Sequence, residues 1–223
     1  MGRLGEIIAA AATDLLWQSG LTDYQVMAMP DADQLPLLGS ARLLPAAPGQ
    51  TLVFDCGQTR VKAALVTIGA GAVKALALIA AEPGPCIDLW LAEQSPAEAQ
   101  QMWDRLLAQL VALLTDHAPG AGPLAIVVAL ACRIHQGHPR PREWMSCYGR
   151  LQLISSHLET DLAAALTDGC GRPVTVRLVQ DATAAALPYA GSENCVVLTL
   201  GTAIGTGYVP ANDAGLLPLR LTR

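Results

Sequence analysis

The stretch PLAIVVALACRI, from Pro123 to Ile134, constrains this chain more than any other feature. Nearly all of it is apolar, with no polar alternation to turn towards water. It is too short to cross a membrane, which takes about 20 apolar residues. A strand of this kind needs cover on both faces, as in the centre of an α/β sheet flanked by helices. The composition agrees with such a core: 52% of residues are hydrophobic and 15% charged, far from the profile of a disordered chain.

The flanking segments supply the rest of the sheet. From Thr51, TLVFDCG reads as a buried strand closed by Gly57. VKAALVTI is a second strand and VKALALIAAE a third, with the turn Gly69-Ala70-Gly71-Ala72 between them. After a Pro-Gly-Pro break, Ser95, Pro96 and Glu98 spell a helix start, and leucine spacing carries the helix to about Asp116. Beyond the central strand, residues 135–150 read as irregular, and a helix runs from about Ser155 to Thr167. VTVRLVQ is a fifth strand, DATAAALPYA starts an Ala-rich helix, and CVVLTLG is a sixth strand leading into AIGTGYV.

The order βββ-α-β-α-β-α resembles the ribonuclease H-like α/β fold of actin-like ATPases. Three parts are expected. Residues 1–50 form an N-terminal helix, with Leu4, Ile7, Ile8, Ala11, Leu15 and Leu16 at helical spacing, and a Pro-rich arm. Residues 51–194 form the ribonuclease H-like lobe, and residues 195–223 the initial hairpin of a truncated second lobe.

Charge and cysteine usage narrow the function. A net charge of −5 with scattered Lys and Arg gives no footprint for nucleic acid. No apolar run suits a membrane span. The six cysteines contain no CxxC pair, so free thiols in a reducing cytoplasm are expected. His135 and His138 lack a third ligand at suitable spacing and read as a solvated loop. Trp90, Trp103 and Trp144 read as packing residues.

Three clusters carry candidate chemistry. In Asp55-Cys56-Gly57-Gln58-Thr59-Arg60-Val61-Lys62, a carboxylate at a strand end can hold Mg²⁺ through water, while Gly57 and Thr59 offer a turn with donors for phosphate oxygens. In Gly201-Thr202-Ala203-Ile204-Gly205-Thr206-Gly207, the glycines allow close approach of backbone N–H groups to an anion, and Thr202 and Thr206 add hydroxyls. The Walker Lys-Ser/Thr ending is absent. Asp181 stands where the fifth strand passes into a helix, a position open both to helix capping and to catalysis.

Together, FDCGQTRVKAAL, VQDATAAAL and LTLGTAIGTGYV resemble the motifs of the ROK family (repressor, open reading frame, kinase), from about Thr51 to Val209. The resemblance implies an ATP-dependent sugar kinase. Asp181 would be its general base, Asp55 would lie near Mg²⁺, and Gly57, Thr59, Lys62, Gly201, Thr202, Gly205, Thr206 and Gly207 would face ATP. The substrate implied is a small molecule, a sugar. Departures from the pattern are Gln58, Arg60, Gln180 and Thr183, and no sugar-contacting segment is recognisable after the fourth strand. DCGQTRVK also resembles the corresponding loop of type III pantothenate kinases, and a non-catalytic protein keeping the fold for binding or assembly is the third reading. The hairpin of the unfinished lobe is expected to be covered by the N-terminal residues or by a second copy in a homo-oligomer.

Overall fold

A computed structural model describes residues 2–29, 31–86, 95–140, 146–202 and 204–221. Trp90 and Trp144 lie outside the described residues, whereas Trp103 packs at the margin of the core. The chain divides into two units, Met1–Leu35 and Pro36–Arg223.

In the first unit, helix α1 spans Gly2–Gln18. The Thr13 hydroxyl donates to Ala9 O at 2.9 Å and accepts from Val26 N–H at 3.1 Å, which brings the extended stretch around Val26 back along the helix. Ile7, Ile8, Leu15 and Trp17 of α1 are exposed.

The second unit begins at Pro36 within α2 (Leu35–Arg42), which is followed by β1 (Gly49–Cys56), β2 (Arg60–Gly69) and β3 (Ala72–Pro83). These strands form the antiparallel meander expected from their apolar runs and turn glycines. Next come α3 (Pro96–His117) and β4 (Leu124–Leu130). The start of α3 carries the full capping box, with Ser95 Oγ accepting from Glu98 N–H and Pro96 in the first turn. A two-residue pair β5 (Ile134–His135) and β6 (His138–Pro139) follows, where an open loop was expected. A 3-10 helix over Cys147–Leu153 leads to α4 (Leu158–Cys170), β7 (Val174–Gln180) and α5 (Asp181–Ala186). The described chain ends with β8 (Val196–Leu200), β9 (Ile204–Tyr208) and an extended tail.

The sheet is mixed and five-stranded, in the order β3-β2-β1-β4-β7. β4 lies between β1 and β7 and is parallel to both. The all-apolar segment is therefore the central parallel strand. Leu52, Phe54, Ile126, Val128 and Leu178 pack on one face against Leu106, Leu110, Leu151 and Leu162 from α3, the 3-10 helix and α4. Val53, Ala64, Val66 and Val127 pack on the other face with Leu37 and Ala41 of α2 and with Leu217.

Two expectations need correction here. The boundary expected at residue 50 falls at residue 35, because Leu35–Arg42 is a helix belonging to the sheet unit. Pro36 suggested a linker, but in the first turn of a helix proline's missing N–H has no intrahelical partner to lose. The stretch after β9, expected to open a separate lobe, returns to the main sheet. Leu217 N–H donates to Arg42 O at 2.8 Å, and Val73 exchanges backbone bonds with Pro218 O and Arg220 N–H at 2.9 Å each. Arg42 secures this return through Nε–H to Leu217 O at 3.0 Å and Nη1–H to Leu187 O.

Candidate functional site

β1 delivers Asp55 to the carboxyl end of the parallel strands, where open α/β sheets gather ligands. Asp55 is paired in register with Lys62 on β2 and with Ala129 on β4. Its side chain is buried, and Lys62 Nζ stands 3.2 Å from Oδ2. The turn after β1 is closed by Gly57 N–H donating to Arg60 O at 2.8 Å. Thr59 is exposed, whereas Gln58 is buried with no hydrogen-bond partner for Oε1 among the described residues.

Asp181 follows β7 directly and opens α5. The register runs Asp55, Ala129, Val179 across the three parallel strands, so Asp181 continues two residues beyond the row that holds Asp55. Burial pushes the Asp181 carboxyl up to about 6, and the negative charge of Asp55 adds to the rise. A hydrogen bond from Ala182 N–H to Oδ1 at 2.7 Å acts against it. The structure thus brings the two predicted carboxylates within electrostatic reach of each other. A carboxyl titrating near neutrality is suited to accept a proton from a hydroxyl.

The glycine-rich segment is divided between a turn and a strand. Gly201 and Thr202 are exposed at the turn, while Gly205, Thr206 and Gly207 lie in β9. Gly205 and Gly207 face α5, and a Cβ at Gly207 would collide with the Ala182 carbonyl. Likewise α2 approaches α5 so closely that a Cβ at Gly39 would strike the Ala184 carbonyl. Gly205 and Gly207 thus supply close packing against α5. It also accounts for the alanines of α5, of which Ala182, Ala184, Ala185 and Ala186 are buried. Thr206, pairing with Leu198, has the opposite parity to those glycines and projects from the other face of the hairpin.

The clusters alone do not reveal Tyr148. Its hydroxyl donates to Gly57 O at 3.1 Å, and burial followed by Cys56, Cys132, Asp55 and Asp181 holds it well above its usual range, so it remains a donor. A tyrosine in a Pro- and Arg-rich stretch gives no sign of this role. The cysteines require a further correction. Cys86 and Cys147 form a disulfide, while Cys56, Cys132, Cys170 and Cys195 are not disulfide-bonded. The partners are 61 residues apart, and sequence spacing cannot reveal such a pairing.

His135 and His138 pair across the β5–β6 turn. Burial, followed by His157, lowers the His138 pKa. Among the described residues, no cluster of three or more His, Cys, Asp or Glu side chains could hold a metal ion.

Fold and site together define a mixed α/β chain with two carboxylates at the carboxyl edge of its parallel strands. No protein-family model matches the chain, and no curated protein matches it. Among solved structures it is similar to an inorganic polyphosphate/ATP-glucomannokinase from Arthrobacter sp. strain KM, with 25% identity and a TM-score of 0.43, over 76% of this chain and 61% of that one. It is also similar to a ROK hexokinase from Thermus thermophilus, with 18% identity and a TM-score of 0.35, over 76% of this chain and 49% of that one. The chain thus spans between about half and three-fifths of the length of these proteins. Among the described residues, no helix is long and apolar enough to cross a membrane.

Proposed function

We propose that this chain is an ATP-dependent kinase of the sugar-kinase type, in which Asp181 takes the proton from a substrate hydroxyl as that oxygen attacks the γ-phosphate. The observation that carries the proposal is the Asp181 carboxyl, raised to about 6 at the end of β7 with Asp55 nearby. Phosphoryl transfer asks a protein mainly for positioning and charge stabilisation, and a base near neutrality meets the remaining need.

ATP with Mg²⁺ would supply the activated phosphoryl group and the counter-charge on its oxygens. Asp55, at the carboxyl end of β1, is the group proposed to lie near Mg²⁺ and to reach it through water, since Mg²⁺ commonly keeps several of its waters. Gly57, Thr59 and Lys62 from one hairpin, and Gly201 and Thr202 from the other, are the groups proposed to face the phosphates. Gly205 and Gly207 seat the second hairpin on α5 so that its turn can reach them. The substrate proposed is a small molecule, a sugar, in a cytoplasmic setting.

A second reading, a protein keeping the fold for binding or assembly, is favoured by the outer face of β8–β9. Leu198, Leu200, Ile204 and Tyr208 are exposed there, which also motivates the proposed homo-oligomer. Calorimetric titration with ATP·Mg²⁺ separates the two, since only the kinase reading requires binding. Where binding is seen, an ADP-release assay over a panel of sugars and pantothenate tests catalysis. Absence of ADP release with every acceptor would overturn the kinase assignment.

A further inference from the structure

We propose that the Cys86–Cys147 disulfide is a redox-operated clamp on the Gly57–Arg60 turn, so that the state of this pair sets how firmly the turn beside Asp55 is held. The functional consequence rests on reading that turn as phosphate-facing. The clamp itself does not.

The turn is tethered from two directions. Thr59 O accepts from Gly84 N–H at 2.8 Å, and Gly57 O accepts from the Tyr148 hydroxyl at 3.1 Å. The first tether comes from the end of β3 and the second from the 3-10 helix, segments far apart in sequence. Gly84 lies so close that a Cβ there would stand 2.8 Å from Gln58 O. Cys86 is two residues beyond Gly84, and Cys147 immediately precedes Tyr148. Their bond, with Cα atoms 6.1 Å apart, closes a ring from the turn through Gly84 and Cys86, across the sulfurs, and back through Tyr148. Ser146 anchors the second arm, donating its hydroxyl to Ala131 O and accepting from Tyr148 N–H.

The surroundings favour a bond that changes state slowly and without scrambling. Both cysteines are buried, so attack requires local opening. The nearby Cys56 thiol is also buried, and burial, followed by Asp55, keeps it protonated and a poor nucleophile. Opening the clamp takes a small dithiol reductant. One thiolate attacks a sulfur of the pair to give a mixed disulfide, releasing the other cysteine. The second reductant thiol then displaces the first, leaving two cysteine thiols and one oxidised dithiol. With the bond open, each arm holds the turn through a single hydrogen bond and no longer braces the other.

Hydrogen exchange on the whole chain, before and after reduction with dithiothreitol, tests the clamp. Amides of residues 57–60 and 84 should exchange at least about tenfold faster once Cys86 and Cys147 titrate as thiols, with β4 amides unchanged. Tyr148→Phe should raise turn exchange in the oxidised chain and shrink the further gain on reduction. A Cys86→Ala/Cys147→Ala chain should match the reduced wild type. Turn exchange that stays the same after reduction, or β4 amides that loosen as much as the turn, would overturn the proposal. So would Cys86 and Cys147 titrating as thiols in the air-oxidised protein. ATP·Mg²⁺ affinity, measured alongside, should weaken about fivefold on reduction. A turn that loosens in a chain binding no ATP in either state supports the clamp and removes the kinase reading.

Discussion

Lys62 and Asp55 are direct partners across the β1–β2 hairpin, with Lys62 Nζ 3.2 Å from Asp55 Oδ2. The pair sits at the sheet's carboxyl edge, where the side-chain exposures are 19% for Lys62 and 9% for Asp55, so water screens it less than a surface pair. Removing one member of such a pair leaves the other's charge poorly compensated.

Lys62→Met should therefore lower stability by about 1–3 kcal/mol, the range for losing a partner from a buried charged group. Urea unfolding at pH 7 measures this, and Lys62→Arg should restore most of the loss. A Met variant as stable as the wild type would mean that the pair does not support the fold. If Lys62 also faces phosphate, the Met variant should bind ATP·Mg²⁺ more weakly at a temperature where both chains are folded.

Asp181 gives a prediction with a definite sign. Its carboxyl is raised from 3.8 to about 6, so between those values the folded chain holds a proton that the unfolded chain has released. Its contribution favours the folded state below about pH 4 and is lost as pH rises through 6. Above that, burying the charge costs roughly 3 kcal/mol relative to a carboxylate in water. Asp181→Asn keeps an oxygen for Ala182 N–H and abolishes the charge. It should stabilise the chain at pH 8 by about 1–2 kcal/mol and leave it nearly unchanged at pH 3.5 or so. In an active enzyme the same change should cut turnover by about 10² or more. Equal stability of the two chains at both pH values would show that Asp181 is not desolvated.

The docking of β9 on α5 is testable at Gly207, which faces the Ala182 carbonyl. Gly207→Val should cost about 1–3 kcal/mol by overpacking, and faster hydrogen exchange should appear in β8 and β9 before the main sheet. Thr206→Val, on the other face of the same strand, should change little. Similar losses at both positions would refute the assignment of faces.

Much of the sheet was legible because its signals are local. Apolar runs and turn glycines mark β1 to β3, and the uninterrupted apolar run marks β4. The Ser95–Glu98 pattern marks α3. Asp55 and Asp181 stand out as carboxylates at strand ends, and parallel pairing with β4 then brings them to one edge. What escaped depends on contacts distant in sequence. Tyr148 reaches Gly57 across 91 residues, and Cys86 finds Cys147 across 61. The packing of Gly205 and Gly207 on α5 was hidden because close approach to a ligand and close approach to a helix both exclude a side chain. Pro36 obscured α2 because proline is common both in linkers and in first helical turns.

That misreading of α2 sharpens the last test. Leu37, Ala41 and Leu44 are buried with Val53, Val66 and Val127 on the second face of the sheet. Arg42 in the same segment hydrogen-bonds to Leu217 O and Leu187 O. Deleting residues 1–45 would remove that apolar cover together with the guanidinium that ties the tail to the turn after α5. Each buried leucine alone is worth about 2–5 kcal/mol, and a domain's whole stability is about 5–15 kcal/mol. That chain should show no cooperative unfolding and should aggregate on light scattering. Deleting residues 1–34 spares every one of these contacts, so the remaining chain should keep a cooperative transition and the dispersed amide spectrum of a folded sheet. Cooperative unfolding of the 1–45 deletion would mean that the second face of the sheet is not sealed by α2, and its loss in the 1–34 deletion would mean that α2 alone does not suffice to seal it.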